Sequence, residues 1–236
     1  MGDVRILLPT SMPAYLAVPS GEGPWPGAVV LSDVMGMTAD LHRQAEWLAS
    51  AGYLAVAPDL FFRGNRLVCL VTIFRDVLSG VGRTFDDIDA TRAWLAERPD
   101  CTGRVGVIGF CMGGGFALLL VADHGFAAAS ANYGAIPKHL HDFVARSCPI
   151  IASYGAKDPT LRGAASKLEQ ALAAAGVPHD IKEYPDAGHA FLNDHDPSGV
   201  NPVVMMLARL SHSQYHEPSA EDARRRIVTF FDTHLR

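Results

Sequence analysis

Cysteine is scarce and unpatterned: Cys69, Cys101, Cys111 and Cys148 are the four in 236 residues. No two form C-x-x-C, which excludes a zinc ribbon and a thioredoxin-like redox pair. So few cysteines in a chain of this size suit a reducing, cytoplasmic setting. An excess of positive charge is also missing. The 20 Lys and Arg stand against 25 Asp and Glu, a formal net charge of −5. That balance argues against nucleic acid or an anionic membrane as partner. The segment Met1-Gly2-Asp3-Val4-Arg5 lacks the basic-then-apolar pattern of a secretory signal. Residues 105–122 are uncharged over a length that meets a loose criterion for a membrane span. Their middle is Gly113-Gly114-Gly115, a poor helix interior, so a buried strand, turn and helix is the better reading. No internal repeat, linker or low-complexity segment breaks the chain, which reads as one domain over residues 1–236.

What is present is ample apolar material, 49% of residues, arranged in alternating short runs and amphipathic stretches. Strands are predicted at 4–8, 14–18, 28–31, 53–57, 105–108, 127–133, 149–154 and 180–184. The first two read as a hairpin. Helices are predicted from Thr38 to about Ser50, then over 67–78, 84–96, 116–122, 161–175 and 221–235. Strands alternating with helices predict an α/β protein with a mostly parallel sheet and helices on both faces. The stretch 193–219 is long, with an apolar middle at 203–210. It suits a lid, a pocket wall, a dimer contact or, most simply, a helix packed on the core.

Between strand 105–108 and the helix after it lies Gly109-Phe110-Cys111-Met112-Gly113. This is the G-x-S-x-G spacing of a nucleophile elbow with Cys in place of Ser. The glycines leave room for a strained turn that lifts the sulfur clear of the sheet, above a helix N-terminus that favours negative charge. A buried, inert cysteine on a glycine-rich turn is the bland alternative. A dinucleotide fingerprint and a P-loop both fail: G-x-G-x-x-G is absent, and no Gly-Lys-Ser/Thr follows.

Loops at the carboxyl ends of parallel strands gather at one sheet edge. Asp158 follows one predicted strand and precedes a helix; it suits either an acid that orients an imidazole or a turn-capping Asp. His189, after Gly188 on the loop beyond the last strand, is the natural general base for Cys111. Asp186 is a nearby alternative acid, but it shares a turn with His189 and reads as structural. Nucleophile, acid, histidine is the chain order of α/β-hydrolase triads. The loop Ser32-Asp33-Val34-Met35-Gly36 is placed to give one oxyanion-hole N–H from Val34, with the second from Met112. Asp33 suits either a helix cap or a contact with the thiol.

On these motifs, together with Ala57-Pro58-Asp59-Leu60 and Gly155-Ala156-Lys157-Asp158, the chain resembles the dienelactone hydrolases, or carboxymethylenebutenolidases, over nearly its whole length. The resemblance implies an α/β-hydrolase fold and a Cys–His–Asp triad at Cys111, His189 and Asp158. It also implies an acid, usually Glu, that pairs with the resting thiol. Asp33 matches that position but is one methylene shorter. Members that hydrolyse dienelactone carry an arginine a few residues beyond the catalytic His. Here Phe191-Leu192-Asn193-Asp194 puts Asn193 in its place, and Asn cannot form the bidentate ion pair with a carboxylate. Arg63, Arg66 and Arg75 are possible replacements for a second substrate arginine.

The expected function is hydrolysis of a small ester or lactone, with no metal or organic cofactor, by a monomer or small homo-oligomer. Two other classes compete. One is a binding or redox-sensing protein of the same fold, with Cys111 as switch; such a protein has no need of an Asp–His pair. The other is a metal-dependent hydrolase, suggested by the ten His. Its only close pairs, His139-x-His141 and His212-x-x-x-His216, lack an H-E-x-x-H pattern.

Overall fold

Eight strands form one sheet in the computed structural model, which describes residues 2–6, 11–195 and 212–236. The chain runs β1 (Gly2–Ile6), β2 (Met12–Ala17), β3 (Trp25–Leu31), α1 (Ala39–Ser50), β4 (Leu54–Pro58), α2 (Arg66–Ser79) and α3 (Arg83–Ala96). It continues through β5 (Cys101–Phe110), α4 (Met112–Leu119), β6 (Ala128–Asn132), α5 (Leu140–Phe143), β7 (Ile150–Gly155), α6 (Ala164–Ala175), β8 (His179–Tyr184) and α7 (Glu217–Leu235). The strand order is β1-β2-β4-β3-β5-β6-β7-β8. β1 and β2 form the expected hairpin, with Val4 opposite Ala14, and β2 lies antiparallel to β4. From β4 to β8 every pairing is parallel.

The β-branched runs explain why both faces are covered. In β5, Val107 faces one way and Ile108 the other, and both are fully buried. Register carries this across the sheet: Val29, Val107 and Ala129 share a face. That face packs on α2, α3, α4 and α6 through Ile73, Phe85, Phe116 and Leu168. Val30, Ile108 and Ile151 form the other core with Leu48 of α1 and Ile227 of α7. Full burial of such a side chain contributes about 1.5–3 kcal/mol.

Several boundaries differ from the sequence expectation: β3 and β5 begin at Trp25 and Cys101, ahead of residues 28 and 105, and three helix boundaries shift. The helix after the elbow begins at Met112 and ends at Leu119, so it includes the three glycines and excludes residues 120–122. Each glycine costs a helix about 1 kcal/mol relative to alanine. Here they permit close packing: a Cβ on Gly113 would stand 2.4 Å from the Leu31 carbonyl oxygen, and one on Gly114 2.6 Å from that of Asn132. The last helix starts at Glu217, ahead of residue 221, because Pro218 falls in its first turn, where no N–H is required. Residues 159–161 form a separate 3₁₀ turn before α6. The apolar stretch 203–210 lies outside the described residues. Among the described residues, no helix is long and apolar enough to cross a membrane.

Candidate active site

β5 ends at Phe110 and α4 begins at Met112, leaving Cys111 alone between them at φ 54° and ψ −110°. A non-glycine residue in such a conformation costs about 1–3 kcal/mol and persists only where its surroundings impose it. They do so here. The Cys111 N–H donates to the Asn132 carbonyl at 3.0 Å, and the Asn132 side chain donates to the Gly109 carbonyl at 3.2 Å. Asn132, fully buried at the end of β6, therefore grips the elbow at two points just before the cysteine side chain. A Cβ on Gly109 would stand 1.9 Å from the Gly113 carbonyl oxygen, so the turn closes only around glycine. Cys111 itself is partly exposed.

Asp158 follows β7 and makes the contacts that both readings of its position call for, one set with each oxygen. Oδ1 accepts from the Thr160 N–H at 2.8 Å and from the Thr160 hydroxyl at 2.6 Å. Oδ2 lies 2.6 Å from His189 Nδ1. Burial works to raise the Asp158 pKa, but His189 and Thr160 overcome it and hold the carboxyl below its ordinary value. Asp186 is turned away, its carboxylate 3.5 Å from Lys157 Nζ and well exposed.

His189 reaches Asp158 because the loops after β7 and β8 are stitched together. The Ala156 N–H donates to the Tyr184 carbonyl and the Lys157 N–H to the Ala187 carbonyl, both at 2.9 Å. Gly155 and Gly188 make this possible. A Cβ on Gly155 would meet the Gly188 carbonyl oxygen at 2.2 Å, and one on Gly188 would meet that of His212 at 2.0 Å. With Nδ1 on Asp158, the other ring nitrogen is left free to serve Cys111, whose sulfur is near enough to influence the imidazole. Burial acts to lower the His189 pKa. Asp158 and the Cys111 sulfur overturn that and push it up to about 10. The arrangement favours an imidazolium beside the Asp158 carboxylate.

The loop after β3 lies against α4, since a Cβ on Gly113 would also stand 2.7 Å from the Ser32 carbonyl oxygen. Val34 and Met112 are thus carried by two adjoining segments. Asp33 shapes that loop: Oδ1 accepts the Met35 N–H at 2.7 Å and its carbonyl accepts the Gly36 N–H at 3.2 Å. Its Oδ2 lies 2.6 Å from His195 Nε2. Each carboxylate oxygen thus has a partner of its own, Met35 and His195. Burial acts to lower the His195 pKa, and the Asp33 and Asp40 carboxylates raise it above its ordinary value.

Asn193 is buried. It donates to Asp40 Oδ2 at 2.6 Å and accepts from the Tyr133 hydroxyl. Tyr133, at positive φ just beyond β6, packs its ring against His189 at 5.2 Å between centroids. Of the three arginines, Arg63 is bonded to Asp87 at 2.5 Å and Arg75 contacts Asp76 at 3.4 Å. Arg66 touches the loop after β3, donating to the carbonyls of Met35 at 2.6 Å and Val34 at 3.3 Å. Among the described residues, no group of three or more His, Cys, Asp or Glu is arranged to hold a metal ion.

Sequence reasoning did not single out Asn132, Tyr133, Thr160 or His195. Asn132 and Tyr133 stand at the carboxyl end of a predicted strand, a position that could have flagged them. Thr160 follows Asp158 at cap spacing. Nothing in the sequence pairs His195 with Asp33, 162 positions away.

Residues 12–235 match the model of the dienelactone hydrolase family. A provisionally named carboxymethylenebutenolidase of Yersinia pestis is 32% identical over 240 residues, covering 94% of this chain and 84% of the relative. A carboxymethylenebutenolidase of Rhodococcus opacus is 31% identical over 235 residues, covering 94% and 86%. A crystal structure of a provisionally assigned dienelactone hydrolase from Klebsiella pneumoniae superimposes with a TM-score of 0.80 at 30% identity, over 99% of this chain and 98% of that one. With the elbow, the sheet order and the family match in agreement, the chain belongs to the dienelactone hydrolase family and is a hydrolase of the α/β-hydrolase fold.

Proposed function

We propose that this protein hydrolyses a small carboxylic ester or lactone through a thioester on Cys111. The reading is carried by one observation: Asp158 Oδ2 stands 2.6 Å from His189 Nδ1, on the loop next to the strained elbow that presents Cys111, whose sulfur acts with Asp158 to raise the imidazole pKa. The sulfur attacks the carbonyl carbon as thiolate. The carbonyl π pair moves onto oxygen, held by the N–H groups of Val34 and Met112. Collapse of the tetrahedral adduct breaks the C–O bond, and His189 gives its proton to the leaving alkoxide. In a lactone the released alcohol stays on the acyl group. Neutral His189 then takes a proton from water as it attacks the thioester, and collapse expels the thiolate and the carboxylic acid. Asp158 keeps the ring oriented and favours its charged form. Asp33 serves this site through the loop it shapes. The buried Asn193 supports a substrate without the carboxylate that an arginine there would bind.

The test is turnover of an activated ester by Cys111→Ala, with mass spectrometry of the wild type during turnover. We expect loss of activity in the variant and an acyl adduct on Cys111 in the wild type. Near-normal turnover by the variant would rule out the nucleophile.

A further inference from the structure

We propose that the outward face of α2 is the interface of a two-fold dimer, in which it packs antiparallel on α2 of a second copy of this chain. Among the described residues, every large hydrophobic side chain that is strongly exposed, apart from Tyr215, lies between Leu67 and Val81. Leu67, Val71 and Leu78 are 70%, 70% and 81% exposed, and Phe74 41%. Isolated exposed leucines are ordinary; a contiguous stripe on one helix marks an interaction site.

The helix is apolar on two opposite sides. Cys69 and Ile73 are buried inward, and Val77 rests near Gly115 of α4. A helix covered on one side only carries charge on the other. Here the outer positions 67, 71, 74 and 78 instead repeat at intervals of four, three and four, the seam spacing of paired helices. Val68 widens the stripe, and a shallow groove runs along it between Leu70 and Ser79.

The seam is its own complement when reversed. About a two-fold axis between residues 72 and 73, Leu67 meets Leu78 and Val71 meets Phe74 of the other copy. Such self-complementarity is what an isologous contact requires. The flanking charges fit as well. Arg75 falls opposite Leu70 and Arg66 opposite Ser79, so no like charges face each other. A lipid surface is the poorer occupant, because α2 carries just two cations: Arg66, bonded to the Val34 and Met35 carbonyls, and Arg75, which lies beside Asp76. Asp76 is itself buried and held by the Thr84 N–H and hydroxyl.

The experiment is light scattering coupled to gel filtration on the full chain at micromolar concentration. We expect a dimer for the wild type and loss of the dimer peak in Val71→Glu and Leu78→Glu, with circular dichroism spectra unchanged. Leu78 lies at the exposed end of the helix and gives a reading if Val71→Glu does not fold. Register is read by mild oxidation: Val71→Cys with Phe74→Cys gives a covalent dimer above the wild-type background set by Cys111, and Val71→Cys alone does not. A monomeric wild type overturns the proposal, whether or not it binds anionic phospholipid vesicles. So does a dimer that survives both glutamate substitutions, and cross-linking through Val71→Cys alone overturns the antiparallel register.

Discussion

His195 Nε2 stands 2.6 Å from Asp33 Oδ2, as close as His189 Nδ1 stands to Asp158 Oδ2. It spends the free oxygen of Asp33, whose other oxygen already holds the Met35 N–H. These contacts tie Asp33, which family resemblance matches to the acid at the resting thiol, into the loop that carries Val34. We expect Asp33→Asn to lower kcat about tenfold, equivalent to roughly 1.4 kcal/mol on the barrier. The pH dependence of Cys111 alkylation should superimpose on that of the wild type. A shifted alkylation curve would return Asp33 to the thiol.

The His189–Asp158 pair sets a pH window for stability. His189 is raised in the folded protein, so its contribution is complete below its ordinary value of 6.5 and is lost as pH rises through about 10. Asp158 is lowered, so its contribution is present above its ordinary value of 3.8 and is lost as pH falls below it. The gap in melting temperature between wild type and Asp158→Asn should be widest between these ordinary values and close toward pH 10. Activity should fall more steeply than stability, with kcat down by up to a factor on the order of 10⁴ if orientation of the ring dominates. Differential scanning fluorimetry across pH and steady-state kinetics read the two effects separately.

Asn193 bridges Tyr133 and Asp40 inside the protein. Asn193→Ala leaves the Tyr133 hydroxyl without its acceptor and takes one donor from a buried carboxylate. The expected cost is about 2–3 kcal/mol, read as a lower midpoint in urea. Asn193→Arg should also destabilise, by about 1–3 kcal/mol from overpacking, and should not create turnover of esters bearing a second carboxylate. Improved turnover of such esters would show that the side chain can reach the substrate.

Gly113→Ala puts a methyl group 2.4 Å from the Leu31 carbonyl oxygen, which belongs to backbone and cannot rotate away. We expect either insoluble protein or a soluble one whose kcat falls far more than its KM rises, because the loop after β3 must move from the N-terminus of α4. Soluble yield and the two kinetic constants check this. Gly163→Ala is the control: it has open space around it, and its cost should be confined to the strain of its positive φ.

The order of the elements and the order Cys111, Asp158, His189 were legible in the sequence because each is local. A β-branched run, a cap residue or a glycine-flanked turn announces itself within a few residues. The spacing of Gly109 and Gly113 sufficed to place an elbow, and the clearances around both glycines agree with it. What the sequence left open was each polar side chain's choice of partner. Asp158 suited a cap or an acid, and the structure uses one oxygen for each. Asp33 suited a cap or the thiol, and one of its oxygens meets His195, which chain order does not bring near. Asn193 looked like a missing substrate ligand, and packing made it a buried bridge to α1. Backbone pattern is set by near neighbours and survives in one dimension. Hydrogen-bond pairing depends on which strand ends lie side by side, and only the folded sheet decides that.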